Sequence, residues 1–241
     1  MVMTSAYCAV PAYVSGSQVD DLGVALGLET EEASRLDLLV TRCFKLERGE
    51  QLFRAGEPFR CIYVIRSGFF KTHYLLSDGR EQVTGVHMAG DLLGMHAIGG
   101  VHYVGFATAL DKAEVCEIPF DKMERLSSEL PSLQHSLYRI LSQKIMHGLN
   151  LTMLLGQLTA EERLIVFLLD LSERYAQRGW PPYQFTLQLA RGDIGNFIGL
   201  TLETVSRTFS QLQKKGLIRV QSRQVELLQP EQLRQLIARH S

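Results

Sequence analysis

The decisive stretch of this sequence is residues 191–216, RGDIGNFIGLTLETVSRTFSQLQKKG. It predicts two helices joined by a tight turn at Gly199-Leu200-Thr201. Thr201 is suited to be the N-cap of the second helix, because a threonine hydroxyl accepts a backbone N–H from the first helical turn. The order of helix, tight turn and helix is the pattern of a helix-turn-helix.

The second helix of this stretch is amphipathic. At 3.6 residues per turn its apolar positions share one face, formed by Leu202, Val205, Phe209 and Leu212. The opposite face is polar, with Glu203, Arg207, Ser210 and Lys214, and Ser206 at the border. A carboxylate, a hydroxyl and a guanidinium near the N-terminus are what a recognition helix presents to base edges. An ordinary surface helix with solvated charges is the alternative interpretation.

The surroundings of this helix favour DNA binding. Residues 178–223 contain seven basic side chains and two acidic ones. Residues 217–220 and 224–227 read as strands on either side of Ser222-Arg223, which predicts a β-hairpin wing with a basic tip. Such cations bind phosphates and make the affinity fall with salt.

Composition and charge agree with a DNA-binding module attached to a second domain. Residues 159–241 hold 11 basic and 8 acidic residues, whereas residues 1–158 hold 14 and 18. Membrane-length apolar runs and a charged signal-peptide start are missing from the sequence, so a cytoplasmic location without membrane contact is expected. The cysteines at positions 8, 43, 61 and 116 lack CxxC spacing, and a reduced protein is expected rather than a disulfide framework.

The chain divides into four segments with an α+β fold. Residues 1–30 form an N-terminal segment, and glycine-punctuated short strands over 31–122 predict an antiparallel β-roll, similar to cyclic-nucleotide-binding domains. Within it, Ser77-Asp78-Gly79-Arg80 is a turn signal. Residues 123–158 are expected to form a dimerisation helix, and residues 159–241 a winged helix-turn-helix.

The long helix opens at Pro131 and carries two apolar stripes. One helix needs a single stripe to cover its own domain, so the second predicts a homodimer. A helix buried wholly within its own subunit is the alternative. The residues expected in dimerisation are Leu133, Leu137, Ile140, Leu141, Ile145, Leu149, Leu151 and Leu154.

Motifs along the chain resemble those of the Crp/Fnr family of bacterial transcription regulators, and within it the fumarate–nitrate branch. They include LFRAGEPFRCIYVIRSGFFKTH, DGREQVTGVHMAGDLLGMHAIG, VCEIPF, AEERL, RGDIGNFIGLT and ETVSR. The resemblance implies a homodimer on double-stranded DNA, with RNA polymerase as partner and a TTGAT half-site read by Glu203, Ser206 and Arg207. The full set expected at the DNA is Arg191, Thr201, Glu203, Thr204, Ser206, Arg207, Ser210, Lys214 and Arg223.

The ligand residues of this family are missing from the sequence, so no cofactor is expected. Cluster-binding members have three closely spaced N-terminal cysteines, where this chain has only Cys8, and Cys116 is expected to be a small buried hydrophobe. Met95 and Tyr103-Val104 stand where cyclic-AMP-binding members have a glutamate and an Arg-Ser pair.

The remaining alternatives concern metals and other kinds of function. The histidines are expected to be structural or exposed, with a metal or haem ligand as the alternative, and no metal site is predicted; those in or near the roll are His73, His87, His96 and His102. An effector-gated regulator, sensing a small molecule or a redox signal through the roll, is one alternative. Another is a roll-based enzyme or small-molecule-binding protein, but the sequence offers no catalytic set.

Overall fold

The computed structural model describes residues 30–238. The predicted N-terminal segment up to residue 29, Cys8 among it, and positions 239–241 lie outside the described residues. The chain forms two compact units that divide after Leu141. The first holds the β-roll and the second holds the winged helix-turn-helix, as expected, and the long helix runs from one into the other.

The first unit is built from eight strands in two antiparallel sheets. The sheets have the orders β1-β8-β3-β6 and β2-β7-β4-β5. The strands are β1 Arg42–Leu46, β2 Gln51–Phe53, β3 Cys61–Ser67, β4 Phe69–Leu75, β5 Glu81–Met88, β6 Leu92–Leu93, β7 Phe106–Ala109 and β8 Ala113–Pro119, with a 3-10 turn at Met95–Ala97.

The predicted turn between β4 and β5 is confirmed. The carboxylate of Asp78 accepts the backbone N–H of Arg80 at 3.0 Å, and Gly79 has a positive φ of 84°. The two strands then pair from Leu75 opposite Glu81 to Phe69 opposite Met88, with a register shift between Thr72 and His73. The turn therefore sets the register of the half of the hairpin next to it, and the irregularity at Thr72 and His73 sets that of the other half.

Two hydrophobic clusters form the core of this unit. One lies between the two sheets and contains Phe53, Ile65, Phe70 and Val115. The other lies between the first sheet and three helices: α1 Thr30–Asp37, α2 Phe120–Glu129 and the start of α3 Pro131–Gln157. Strands β3, β6 and β8 each contribute side chains to both clusters, which is why these strands are apolar on both faces, whereas the edge strand β1 contributes only to the cluster between the sheets.

The expectation that every cysteine is reduced is wrong for the pair Cys43 and Cys116, which form a disulfide. The two residues are 73 positions apart in sequence but directly opposite in the β1–β8 register, with Cα atoms 4.1 Å apart. Cys116 is buried as expected, yet it is a bonded sulfur and not a simple hydrophobe. Sequence spacing gave no sign of this, because strand pairing and not local sequence brings the two together.

The long helix differs from the dimerisation prediction at one residue, and the rest of that prediction stays untested. The predicted segment 123–158 is broken at Leu130, where α2 ends and α3 begins. Leu133 is completely buried in the core of its own chain, and therefore has no surface left for a second chain. Leu137, Ile140 and Leu141 pack in part on the same core. Further along, Ile145 and Leu149 are exposed, Leu151 is half-buried, and the side chain of Leu154 lies outside the described part.

The second unit is a winged helix-turn-helix. Its first helix, predicted from Glu161, is capped by Thr159 and Glu162, whose side chains each bond to the other's backbone N–H. The three-stranded sheet has the order β10-β11-β9. The elements are α4 Ala160–Gln177, β9 Gln184–Thr186, α5 Arg191–Ile198, α6 Leu202–Lys214, β10 Ile218–Gln221, β11 Gln224–Leu227 and α7 Pro230–Ala238.

Candidate nucleic-acid interface

The helix-turn-helix turn between α5 and α6 depends on two glycines. Gly199 ends α5 in the left-handed conformation, with φ 66°, and Leu200 N–H then donates to the carbonyl of Gly195 at 2.8 Å. A Cβ atom on Gly195 would lie only 2.6 Å from the Leu200 carbonyl oxygen. Glycine is therefore required at both positions for the two helices to approach in this way.

The N-terminus of the recognition helix α6 is capped as predicted. The hydroxyl of Thr201 accepts the backbone N–H of Thr204 at 3.2 Å, and it lies 3.0 Å from the Thr204 hydroxyl. Thr201 is exposed and Thr204 is half-buried. The cap fixes the first turn of α6, which carries the residues expected at the bases.

The inner face of α6 agrees with the prediction except at its first residue. Val205, Phe209 and Leu212 are buried, but Leu202 is 50% exposed, so its assignment to this face is wrong. Thr208 takes the fourth buried position and donates its hydroxyl to the Thr204 carbonyl at 2.8 Å. Leu202 lies at the border of the stripe on the first turn, and it is exposed next to Glu203.

The outer face of α6 carries the polar side chains that the sequence predicts. All of them are exposed: Glu203, Ser206, Arg207, Ser210 and Lys214. The Ser210 hydroxyl donates to the carbonyl of Ser206 at 3.1 Å. An arginine can donate two hydrogen bonds to guanine O6 and N7, and a glutamate can accept one from cytosine N4. The face therefore has the chemical groups needed for direct base recognition.

Ion pairs leave two basic residues of α6 available for an anionic partner. Lys215 is bound to Glu161, with N–O distances of 2.6 and 2.8 Å, and Arg219 is bound to Glu226 at 2.5 Å. The two basic residues of α6 itself are Arg207 and Lys214. Neither forms an ion pair with another residue of the described range 30–238. Their charges face solvent without a carboxylate partner from the described part of the chain.

The wing is a β-hairpin with the predicted basic tip. Ser222 has φ 58°, the left-handed conformation that a two-residue hairpin turn of this kind requires. The next residue, Arg223, is half-buried, and its carbonyl accepts the N–H of Leu187 at 2.8 Å. The wing tip is thus held by its backbone, with an arginine as its cation.

Arg191 is not brought together with the exposed residues of α6. Its guanidinium lies over the ring of Phe209, with 3.2 Å between the Cζ atom and the ring centroid. Burial lowers the pKa of Arg191 to about 10. This arginine packs α5 on the inner side of α6 through a cation–π contact.

Arg163 is a structural residue that the sequence prediction missed. Its guanidinium donates to four backbone carbonyls, two near the end of α3 and two at the end of α5. The acceptors are Leu158 at 2.9 Å, Leu155 at 2.6 Å, Gly199 at 3.3 Å and Ile198 at 3.4 Å. The last carbonyls of a helix have no partner within it, and a cation there is favourable. The available signal was an arginine, in AEERL, directly after a long helix.

The interior of the roll does not fit a cyclic nucleotide. Tyr103 stacks on Phe53 with ring centroids 4.2 Å apart, and its hydroxyl donates to the carbonyl of Cys61 at 2.5 Å. Met95 is also buried in this unit. A buried phosphate needs a cation and hydrogen-bond donors. Tyr103, at one of the positions where cyclic-AMP-binding members have a ligand residue, is instead part of an aromatic stack with an internal hydrogen-bond partner.

Neither an iron–sulfur cluster nor a metal ion fits the described residues. The sulfurs of Cys43 and Cys116 are bonded to each other, and burial and the Glu117 carboxylate raise the pKa of the Cys61 thiol to about 12. Within residues 30–238, no group of three or more potential ligands is placed to hold a metal ion. His73 stacks on Phe106, and the ring of His87 lies 3.0 Å from the Thr72 hydroxyl.

None of the described helices is long and apolar enough to cross a membrane.

A family model of the Crp-like helix-turn-helix domain matches residues 162–236, and one of the cyclic nucleotide-binding domain matches residues 43–129. Both agree with the two units of the structure.

Individual relatives cover nearly the whole chain. The chain is 39% identical over 229 residues to the fumarate and nitrate reduction regulatory protein of Escherichia coli strain K12, which is 95% of this chain and 91% of that protein. The fumarate nitrate reduction regulatory protein of Klebsiella oxytoca gives the same identity and coverage. The structure of FixK2 from Bradyrhizobium japonicum is similar with a TM-score of 0.75 and 31% identity, covering 82% of this chain and 98% of that one. The chain therefore belongs to the Crp/Fnr family of transcription regulators.

Proposed function

We propose that this regulator binds a two-fold TTGAT-like DNA site as a homodimer, without an iron–sulfur cluster or cyclic AMP. The observation that carries the proposal is the outer face of α6, where Glu203, Ser206 and Arg207 are all exposed on a capped helix. The expected location is the cytoplasm, with RNA polymerase as partner of the bound dimer.

Each residue of the face has a role set by its chemistry. Arg207 donates to guanine, Glu203 accepts from cytosine, and Ser206 completes base recognition. The neighbouring donors bind phosphates and fix the register without reading sequence. These are Thr201, Thr204, Ser210, Lys214 and, from the wing, Arg223. Arg191 belongs to this group only if its guanidinium leaves the Phe209 ring.

The test of base recognition is Arg207→Ala on the matched site and on a site with the guanine replaced. The expected loss on the matched site is about 1–3 kcal/mol, with little further loss on the replaced site. Arg234→Ala is the matched control, since it removes an exposed arginine of α7 that already pairs with Glu231. If the Arg207 variant discriminates between the two sites as well as the wild type, another residue reads the guanine.

A second copy of the chain is the proposed partner of α3. Its exposed apolar side chains are Tyr138, Ile145, Met146 and Leu149. Tyr138, Ile145 and Leu149 are spaced by seven and four residues, and therefore share one face of the helix. Two such faces packed about a two-fold axis would place two recognition helices on a site such as TTGAT-N4-ATCAA.

The test of the dimer is Leu149→Glu, which would put two carboxylates near the proposed axis. Lys144→Glu is the control, because it introduces the same side chain about 140° round the same helix from Leu149. Sedimentation equilibrium should give a dimeric wild type and control at micromolar concentration, and a monomeric Leu149 variant with weak operator binding. A dimeric Leu149 variant would show that a different surface makes the dimer.

A further inference from the structure

The disulfide between Cys43 and Cys116 lies at the edge of the first sheet and is open to solvent from one side. Strand β1 is the edge strand of this sheet, paired with β8. Cys43, on the edge strand, is exposed, whereas Cys116, on β8, is 3% exposed. The two residues joined by this bond therefore differ in their exposure to solvent, and this favours Cys43 as the one that a thiol reagent reaches.

The third described cysteine is separated from this bond by the sheet itself. Cys61 lies opposite Pro119 in the β3–β8 register, on the face that also carries Glu117 and not on the face of Cys116, because neighbours along a strand point to opposite faces. Glu117 also binds Arg42, the neighbour of Cys43, at 2.9 Å. Cys43 and Cys116 thus form an isolated pair that does not exchange with Cys61 while the sheet is intact.

The bond joins the edge strand β1 to β8, next to the other contacts that hold this end of the chain. Beyond its sheet pairing, the start of β1 is held by Thr41 N–H, which donates to the Glu117 carbonyl at 3.0 Å, and by the exposed Arg42 ion pair. Upstream of β1 the chain forms α1, which buries Ala33 and Leu36 against the core. Its polar contacts with the next helices include an exposed one, from Arg35 to Glu129, and a part-buried one, from Ser132 to Glu32, both 2.5 Å long.

We propose that Cys43 and Cys116 are a reversible thiol–disulfide pair that controls how firmly β1 and α1 are held on the roll, with the Cys43 sulfur as the atom attacked. A thiolate of an external dithiol attacks Cys43 Sγ, forms a mixed disulfide, and releases Cys116 as a thiolate that takes up a proton. The second thiol of the reagent then attacks the mixed disulfide. The reagent is released as a cyclic disulfide, and Cys43 is left as a thiolate that takes up a proton. Two electrons and two protons pass from the dithiol to the protein.

The proposal is independent of DNA binding and is tested on the full-length protein with dithiothreitol in its reduced and oxidised forms. Tryptic cleavage isolates Cys43 in CFK, Cys116 in AEVCEIPFDK and Cys61 in CIYVIR. Oxidised protein, blocked with N-ethylmaleimide and digested without reductant, should give CFK joined to AEVCEIPFDK. After native reduction, iodoacetamide should modify Cys43 at least about tenfold faster than Cys116, because only Cys43 is accessible.

Hydrogen exchange measures the consequence for the fold. Reduction should speed exchange in residues 30–46 and leave the β4–β5 hairpin unchanged. Cys43→Ser should show the fast exchange even under oxidising conditions, and Cys61→Ser, the matched control, should respond to reduction like the wild type. Three results would each overturn the proposal. The first is an oxidised protein in which CFK and AEVCEIPFDK are not linked, or in which one of them is linked to the peptide of Cys8. The second is faster alkylation of Cys116 than of Cys43, and the third is hydrogen exchange in residues 30–46 that does not change on reduction.

Discussion

Replacing Arg163 with methionine tests how the winged helix-turn-helix is attached to the end of the long helix. The substitution keeps the aliphatic stem, which can still pack, and removes the guanidinium. The shorter hydrogen bonds, to Leu155 and Leu158, anchor α4 to the end of α3. The longer ones reach Ile198 and Gly199, immediately before α6.

The expected loss follows from these distances. A hydrogen bond to a charged group contributes about 1.5–3 kcal/mol, and the bonds at 2.6 and 2.9 Å are of that kind. The bonds of 3.3 and 3.4 Å are weaker, and Arg163 is only half-buried, so water can replace part of what is lost. The free energy of unfolding of the second unit should therefore fall by about 2–4 kcal/mol for Arg163→Met. Arg163→Lys should lose less, because an ammonium keeps the charge but cannot span both pairs of carbonyls.

Urea unfolding followed by tryptophan fluorescence measures this unit selectively, because the single tryptophan of the chain, Trp180, lies within it. The control is Arg234→Met, which breaks an exposed ion pair and should cost less than about 1 kcal/mol. The expected order of stability is wild type, Arg163→Lys, Arg163→Met. An Arg163→Met variant as stable as the Arg234 control would refute the reasoning. Removing the donor of the four carbonyls would then lower the free energy of unfolding no more than removing an exposed ion pair.

Three further predictions follow from individual residues. Gly195→Ala should unfold the helix-turn-helix or cost more than about 2 kcal/mol in a fluorescence-detected urea titration, because its Cβ would lie 2.6 Å from the Leu200 carbonyl oxygen. Burial and Glu117 raise the pKa of the Cys61 thiol to about 12, so native Cys61 should resist iodoacetamide at pH 8 and react once urea unfolds the roll. Burial raises the pKa of Asp111, so its contribution to stability is present at low pH and is lost as the pH rises through the folded pKa; Asp111→Asn should remove that part of the pH dependence of unfolding.

Local patterns in the sequence were sufficient to predict the recognition helix. The Thr201 cap, the glycine-containing turn and the wing around Ser222-Arg223 are each set by residues close together in the chain, and all three are confirmed. The base-reading roles of Glu203, Ser206 and Arg207 stay predictions, supported by their exposure. Periodicity was wrong only at Leu202, because a position at the border of an apolar stripe is buried only if a neighbouring element reaches it.

Contacts between distant residues could not be predicted in the same way. Leu133 belongs to an apolar stripe, but the sequence does not say whether a stripe faces its own domain or a second chain; the packing of α1 and α2 decided this. The Cys43–Cys116 bond depends on the register of β1 and β8, which are separated by six other strands. Arg163 was missed for a similar reason, because two of its four acceptors are more than thirty residues away.

The roll matches the cyclic nucleotide-binding domain, although Met95 and Tyr103 stand where cyclic-AMP-binding members carry polar ligand residues, and these two properties have different physical origins. The domain pattern comes from strands, turns and apolar alternation, which stabilise the fold whether or not a ligand is present. Ligand binding needs only a few polar side chains at fixed positions. Here one of those positions, Tyr103, buries its ring against Phe53 and satisfies its hydroxyl on Cys61. Substituting Tyr103 with arginine would therefore not restore a phosphate site, because it would leave an unpaired cation in an apolar stack, and burying such a charge is strongly unfavourable.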